Sequence, residues 1–220
     1  MDTSKQESLN QLLQWSIENS DASRNDPTVQ PTDQQRDPNQ GLNPSALAEL
    51  LGGPSDADRM REAMTAIIAP FSEVDLENKM VAWDNLEQLI EQIDNANNME
   101  SLGMWAPLTA QLDSEEPEMR RMAAWCCSTA VQNNVKSQEM MLRTNTIPKL
   151  AKLALEDGNQ AVRKKAVSAL SSEVRNFQPG MDELEKNLPE GFVMVRRVDA
   201  ADMEAVDGVI QKLRDQATRG

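Results

Sequence analysis

The chain has 220 residues and a net charge of −14, and only 3% of its residues are aromatic. This length suits one sizeable domain with appendages, and the scarcity of aromatic residues beside many helix formers argues against a β-sandwich. The charge argues against binding to nucleic acid or to an anionic membrane, because both need clustered cations. An acidic chain either meets a basic surface of a protein partner or is kept soluble by its charge, and solubility is the favoured interpretation.

The two cysteines, Cys126 and Cys127, are adjacent in an apolar helical pattern. Neighbouring residues of a helix point to different sides, so this pair cannot form an ordinary structural disulfide, and the chain suits a reducing compartment. The N-terminus lacks the basic start and apolar centre of a secretory signal, and no run approaches the ~20 apolar residues of a membrane span. We therefore expect a cytoplasmic protein.

The N-terminal region combines an amphipathic segment, residues 1–19, in which residues 8–19 have a helical pattern, with a polar linker, residues 20–44. The apolar residues of the helix lie on one face and its margin: Leu12, Leu13, Trp15 and Ile17. The linker scatters prolines among Asp, Asn and Gln and buries too little apolar surface to offset the entropy of ordering, so we expect it to be disordered. A helix on such a linker either docks on the folded domain or binds a partner, and the pattern alone does not decide.

Residues 45–220 are predicted to form one armadillo-like domain, which starts with two capping helices at 45–75. The first helix ends at Gly52-Gly53-Pro54, where a residue type that tolerates the left-handed region precedes a helix breaker. The second ends at Pro70 and has an apolar stripe made of Met60, Met64, Ile67 and Ile68. Such helices hide the open face of the first repeat.

Residues 117–159 are the middle copy of an internal repeat. With Arg120 set against Arg163, 43 residues later, RRMAAWCCSTAVQNN falls on RKKAVSALSSEVRNF. The preceding copy, 76–113, aligns at a spacing of 42 residues, which sets Trp83 against Trp125. Self-similarity at this period with helical patterning throughout is typical of HEAT or armadillo units.

Each repeat is predicted to contain a long helix with a buried stripe. In the first copy the stripe consists of Met80, Trp83, Leu86, Leu89, Ile90 and Ile93, and in the second of Met122, Trp125, Val131 and Val135. A turn is expected at 94–98. The third repeat, 160–180, is partial because Gln178-Pro179-Gly180 breaks it, and 181–217 reads as a C-terminal cap. The predicted fold is an all-α, armadillo-like α-solenoid of about three repeats, with helical caps and a disordered N-terminal linker.

Catalytic patterns are missing from the sequence. The chain contains no histidine, which excludes Ser-His-Asp and Cys-His catalysis and histidine ligation of a metal. Phosphate-binding, dinucleotide-binding, CxxC and calcium-loop motifs are also missing, and a cysteine in an apolar helix is better explained as core than as a nucleophile. We expect neither an enzyme nor a protein with a cofactor or a metal ion.

Three other features of the sequence are candidates for a functional role. Basic residues recur at the starts of two long helices, where a solvated helix end is slightly favoured over a binding role: Arg120-Arg121 and Arg163-Lys164-Lys165. Polar turns recur where the long helices end, and stacked repeats bring equivalent turns into a row beside the groove in which solenoids bind partners. The third feature is the N-terminal apolar segment.

The motifs LLQWSIENS, LLGGPSDADRMREAM, VDLENKMVAWDNLEQLIEQIDNANNMESLGMW and AVQNN give the chain a family resemblance. It resembles the fungal armadillo-type nucleotide exchange factors of the 70-kDa heat-shock chaperone (Hsp70), which are akin to the animal Hsp70-binding protein. The resemblance implies a curved helical body whose concave face holds one lobe of the chaperone's ATPase domain. Binding then favours an opened conformer, so that ADP leaves and client peptide is released, in support of protein folding and translation.

By position, the resemblance implies a partner-binding surface at the edge of the groove, made of Asn95, Ala96, Asn97, Asn98, Asn133, Asn134, Arg175 and Asn176. It also implies that the N-terminal segment, through Leu12, Leu13, Trp15 and Ile17, occupies the chaperone's peptide groove and hastens client release. The expected protein is a monomer that binds neither nucleic acid nor membrane. The alternative is an armadillo scaffold that binds an extended peptide, which would need a ladder of Asn and Trp on the groove helices.

Overall fold

The structure is a computed structural model that describes Asn10, Leu13, and residues 53–192 and 197–219. The chain divides into two compact units, residues 1–55 and 56–220. In the first unit, Asn10 and Leu13 are helical and exposed. Most of the predicted N-terminal segment and linker, the predicted helix ending at Gly52, and the centre of the stretch 192–198 lie outside the described residues.

The described part of the second unit contains ten α-helices and no strand. They are α1 (Asp56–Ile68), α2 (Leu76–Ile90), α3 (Ile93–Asn98), α4 (Trp105–Ala110), α5 (Pro117–Val131), α6 (Val135–Arg143), α7 (Thr146–Glu156), α8 (Gln160–Val174), α9 (Gln178–Lys186) and α10 (Met203–Thr218). A 3₁₀ turn, Gln111–Asp113, follows α4 directly. The all-α prediction is confirmed.

Side chains at the boundaries explain where the long helices begin and end. The carboxylate of Asp75 accepts a hydrogen bond from the backbone N–H of Asn78 at 2.9 Å and caps α2. Asn159 caps α8 in the same way, and Pro117 occupies the first turn of α5, where its missing N–H costs nothing. Past the ends of α5 and α8, Asn133 and Asn176 adopt φ values of 54° and 55°, a left-handed conformation that Asn tolerates better than most residues.

The helices of the second unit pack in three rows. The long helices α2, α5 and α8 lie side by side, with α5 in the middle. The short helices α3, α6 and α9, each of which follows a long helix, contact one another in sequence. The third row contains α4 with its 3₁₀ turn, α7 and α10. This succession of three-helix units is consistent with an α-solenoid.

One hydrophobic cluster runs through all three rows, but three residues predicted to belong to it do not. Ile68, Ile93 and Val135 are 52%, 55% and 57% exposed. For Ile93 and Val135 the reason is where the long helices end. Because α2 stops at Ile90 and α5 at Val131, these two residues begin the next helices and leave the buried stripe, and Ile68 is the last residue of α1. For the same reason the turn predicted at 94–98 is wrong, since these residues belong to α3.

The register of the repeat also differs from the prediction. The long helices begin at Leu76, Pro117 and Gln160, which are 41 and 43 residues apart, whereas the sequence comparison used 42 for the first interval. With a spacing of 41, Trp83 corresponds to Ala124, and both are fully buried. Trp125 therefore has a different environment from Trp83.

The corrected register reveals a repeated cation at the fourth position of each long helix: Lys79, Arg120 and Arg163. Each side chain donates to backbone carbonyls at the end of another element. The acceptors are Ala66, Ile67 and Ala69 for Lys79, Ser114 and Glu115 for Arg120, and Asp157 and Ala217 for Arg163. The interpretation of Arg120 and Arg163 as a solvated helix start is wrong, because these residues pair with orphan carbonyls inside the fold.

The residues Gln178-Pro179-Gly180 form the first turn of α9 and do not break the third unit, so this helix crosses the predicted boundary at residue 180. Proline is tolerated there because the first helical N–H groups have no partner within the helix. Gly180 is buried against α8. A Cβ atom on it would lie 2.8 Å from Cδ1 of Phe177 and 3.1 Å from a carboxylate oxygen of Glu173.

Replacing Gly180 by alanine is expected to lower the free energy of unfolding by about 1–3 kcal/mol, because the added methyl group overpacks this contact. Gly208→Ala is the matched control. Gly208 is also helical, but a Cβ there meets no atom within 4 Å. Alanine should therefore stabilise α10 by up to ~1 kcal/mol. Urea denaturation of both variants measures the two effects, and equal shifts of the same sign would contradict the packing argument.

Candidate functional site

A depression of about 620 Å³ lies across the row of long helices. Residues from α2, α5 and α8, together with the turn after α5, line it: Glu87, Glu91, Trp125, Ser128, Thr129, Gln132, Asn133, Lys165 and Ser168. Of these residues, Asn133 alone is a predicted partner contact. Trp125 is predicted to lie in the core, because the 42-residue register sets it against Trp83.

Trp125 and Lys165 form the centre of this depression. The ammonium nitrogen of Lys165 lies 3.6 Å from the centroid of the indole ring, which is close cation–π contact. Burial lowers the pKa of Lys165, and the positive charge of Arg121 adds to this, while Glu87 opposes it. A half-buried cation therefore sits on an aromatic surface between two long helices.

The wall formed by α2 is acidic. Thr129 donates a hydrogen bond of 2.7 Å to the Glu87 carboxylate, which fixes that side chain between α2 and α5. Glu91, the residue that directly follows the end of α2, is exposed. The depression therefore has carboxylates on the α2 side and an ammonium group on the α8 side, so a protein bound there experiences opposite charges at the two walls.

The first predicted stretch of the groove edge, Asn95 to Asn98, is helical and partly buried. Asn95 donates to Asp56 at 3.0 Å and to the carbonyl of Leu89 at 2.9 Å, and Ala96 is buried. Asn98 accepts a hydrogen bond from Ser101. The side chains with surface left for a partner are Asn97 and Asn98, and the predicted contact by all four residues stays a prediction.

The second and third stretches are turns that follow α5 and α8. Asn133 is exposed beside the depression, whereas Asn134 is buried and caps α6 through the N–H of Ser137. Asn176 is exposed, and its N–H donates to the carbonyl of Ala200 at 2.9 Å.

Arg175 is half-buried and pairs with Asp207 of α10. That ion pair occupies much of the hydrogen-bonding capacity of its guanidinium group. Asn133 and Asn176 are therefore the most accessible of the predicted residues in these two turns.

Ile93 and Val135 are surface residues of this edge that sequence reasoning missed. They occupy the same place in two successive units, the first residue of α3 and of α6. Lys136, next to Val135, donates to the carbonyl of Asn97 at 3.3 Å and joins the two helices. An apolar residue at the same place in two successive units, beside polar turns, is the signal that could have identified them, had the ends of the long helices been known; the third unit has Gln178 there.

Neither cysteine is suited to nucleophilic chemistry. Both are fully buried, and burial raises the pKa of Cys127 to about 12 and that of Cys126 well above its ordinary value. A thiol with a raised pKa is a poor nucleophile. Among the described residues, no group of acidic or cysteine side chains is arranged to hold a metal ion, and no helix is long and apolar enough to cross a membrane.

The tryptophan ladder that a peptide-binding armadillo scaffold would need is not formed. Trp83 is fully buried, Trp125 alone faces the depression, and the equivalent position in α8 is Ser168. Of the four residues through which the N-terminal segment is predicted to act, Leu13 is helical and exposed. The other three, Leu12, Trp15 and Ile17, lie outside the described residues.

Comparison with known proteins agrees with the family resemblance. Residues 9–99 match the family described as "Nucleotide exchange factor Fes1", and residues 95–187 match the "SIL1/FES1/HPBP1 C-terminal domain". The chain is 51% identical to the Hsp70 nucleotide exchange factor FES1 of Gibberella zeae over 94% of its length and 96% of the relative's. It is 48% identical to the protein of the same name from Coccidioides immitis, over 94% of this chain and 97% of the relative. The chain belongs to the Fes1 family of nucleotide exchange factors.

Proposed function

We propose that this protein is a nucleotide exchange factor for Hsp70, which promotes the release of ADP and then of client peptide. The observation that carries the proposal is the identity of 51% along nearly the whole chain to a protein named Hsp70 nucleotide exchange factor. Its relatives are named as exchange factors, and the protein has no need of a catalytic residue. Preferential binding to an opened Hsp70 conformer that holds ADP weakly shifts the chaperone toward that conformer, and this lowers the apparent affinity of Hsp70 for ADP.

The depression and its edge are proposed to bind the ATPase domain. Three supports come from the described residues: a rigid row of long helices, walls of opposite charge, and exposed apolar and amide groups that recur along one edge. A surface that must favour one conformer over another has to be stiff, since a compliant surface would follow both. The proposed source of that stiffness is the cation at the fourth position of each long helix, since Lys79 and Arg163 are buried, Arg120 is partly buried, and each joins its helix to the end of another element.

The N-terminal segment is proposed to act on the peptide groove of the chaperone. Leu13 is 61% exposed, so its side chain is accessible to a partner. We further propose that the protein acts in the cytoplasm as a monomer. The surface proposed for the ATPase domain, the role proposed for the N-terminal segment, and the proposed location and monomeric state can each be wrong while the exchange activity is correct.

The exchange activity is tested by measuring release of fluorescently labelled ADP from purified cytosolic Hsp70. The full chain should accelerate release at least tenfold, because an exchange factor must compete with the intrinsic rate. The double variant Leu12→Asp, Leu13→Asp should keep this acceleration while slowing the release of labelled client peptide. If the full chain leaves ADP release unchanged, the proposed function is wrong. If the variant loses both activities together, the N-terminal segment has another role.

A further inference from the structure

Lys165 stands out among the lysines of the second unit because its ammonium group has no acceptor among the residues that the structure describes although the residue is half-buried, whereas Lys152, which also has none, is exposed. Within the described residues Lys165 donates no hydrogen bond and forms no ion pair, and its contact is the ring of Trp125. Its neighbour Lys164 donates to Gln160, and Lys149 pairs with Asp113. An ammonium group has three donors, so Lys165 keeps its full hydrogen-bonding capacity in a half-buried position.

The indole ring fixes where this unused capacity points. A cation held 3.6 Å from a ring centroid is restrained without losing any N–H donor, because the attraction comes from the face of the ring. A side chain that is already positioned pays less conformational entropy when it binds. Lys165 is therefore pre-organised to receive an acceptor at the centre of the depression.

We propose that Lys165, supported by Trp125, binds a carboxylate side chain of the protein partner in this depression. The proposal rests on the proposed function, because the partner is then the ATPase domain of Hsp70. A carboxylate forms a short, charge-assisted hydrogen bond with an ammonium group, and the partly desolvated position strengthens it.

The charge of the surroundings favours a carboxylate over a phosphate. Glu87 and Glu91 line the opposite wall, and the Arg121 guanidinium is already paired with Glu118 at 2.8 Å. The two carboxylates oppose any anion, but they oppose a di- or triphosphate, which carries several charges and needs several donors, more strongly than the single charge of one carboxylate. A nucleotide would therefore be repelled where one acidic side chain is accommodated.

The test compares the affinity of full-length variants for the purified Hsp70 ATPase domain at several salt concentrations. Lys165→Met keeps the aliphatic stem and removes the charge, and should weaken binding at least tenfold and reduce its salt dependence. Lys165→Arg should stay within threefold of the unaltered protein. Lys164→Met, the matched control, should change neither affinity nor salt dependence. Unchanged affinity and salt dependence in Lys165→Met would overturn the inference and leave the proposed function intact, whereas failure of the unaltered chain to bind would sink both.

A second variant addresses the possibility that Lys165→Met disturbs the fold. Ser168 is exposed and one helical turn from Lys165, so Ser168→Glu places a competing carboxylate beside the ammonium group without burying a charge. It should weaken binding in the unaltered background and have no further effect when combined with Lys165→Met. Additive losses would contradict the proposal. So would binding of ATP or inorganic phosphate to the isolated chain that Lys165→Met abolishes, since this would assign the site to phosphate.

Discussion

Replacing Glu173 by glutamine is expected to raise the free energy of unfolding by about 2–3 kcal/mol at pH 7. Glu173 lies in α8 and is fully buried, and neither of its carboxylate oxygens has a hydrogen-bond partner among the described residues. Burial raises its pKa from the usual 4.5 to about 9. An ionised carboxylate that is buried without a hydrogen-bond partner destabilises the native state. The native state therefore either holds Glu173 protonated or loses stability when Glu173 ionises.

The pH dependence follows from the direction of this shift. Because the folded-state pKa is raised, the native state binds a proton that the unfolded chain has released above pH 4.5. The stability that comes with this proton is complete below that pH and is lost progressively as the pH rises toward about 9. Glutamine has the same shape and does not titrate. The difference in free energy of unfolding between Glu173→Gln and the unaltered protein should therefore be small at pH 5 and largest at pH 8 to 9.

Urea denaturation at a series of pH values measures this difference directly. Glu183→Gln is a suitable control, since Glu183 is in the neighbouring helix α9 and its pKa is lowered by the hydrogen bond from Lys186. That variant should not gain stability with rising pH. If the difference in free energy of unfolding between Glu173→Gln and the unaltered protein is the same at every pH, the carboxyl group is ionised and has a partner that the structure does not show among the described residues.

The sequence predicted the helical class and most of the core because these depend on local periodicity. Trp83, Leu86 and Ile90 recur at helical spacing, and all three are buried as that spacing requires. The spacing carries no information beyond the end of its helix. This is why Ile93 and Val135 were placed in the core: each continues the pattern of a helix that has already stopped.

The candidate site could be predicted only in part, for two physical reasons. A shift of the repeat register by one residue rotates every inferred helix face by about 100°, which moved Trp125 from the surface of the depression into the predicted core. The basic residues at the starts of two long helices were also interpreted as solvated, whereas Arg163 is buried and donates to the carbonyls of Asp157 and Ala217. Such a role depends on which helix end lies nearby, and sequence spacing does not reveal that.

Replacing both Ile93 and Val135 by aspartate should reduce the acceleration of ADP release at least tenfold. If the edge beside the depression contacts the ATPase domain, these two exposed side chains supply apolar area in the part of the contact from which water is excluded. Aspartate removes that area and adds like charge to an already acidic protein. Tenfold is a moderate expectation for the loss of two apolar contacts in an interface.

The fold should tolerate the exchange, which separates binding from stability. Each residue is the first of its helix, and there an aspartate interacts favourably with the helix dipole, so thermal unfolding should be unchanged or slightly raised. Val81→Asp is the matched control, because Val81 is equally exposed, at 55%, and lines a different depression between α1 and α2. ADP release should distinguish the two surfaces: loss with Val81→Asp and none with the double variant would place the partner on the α1–α2 side instead.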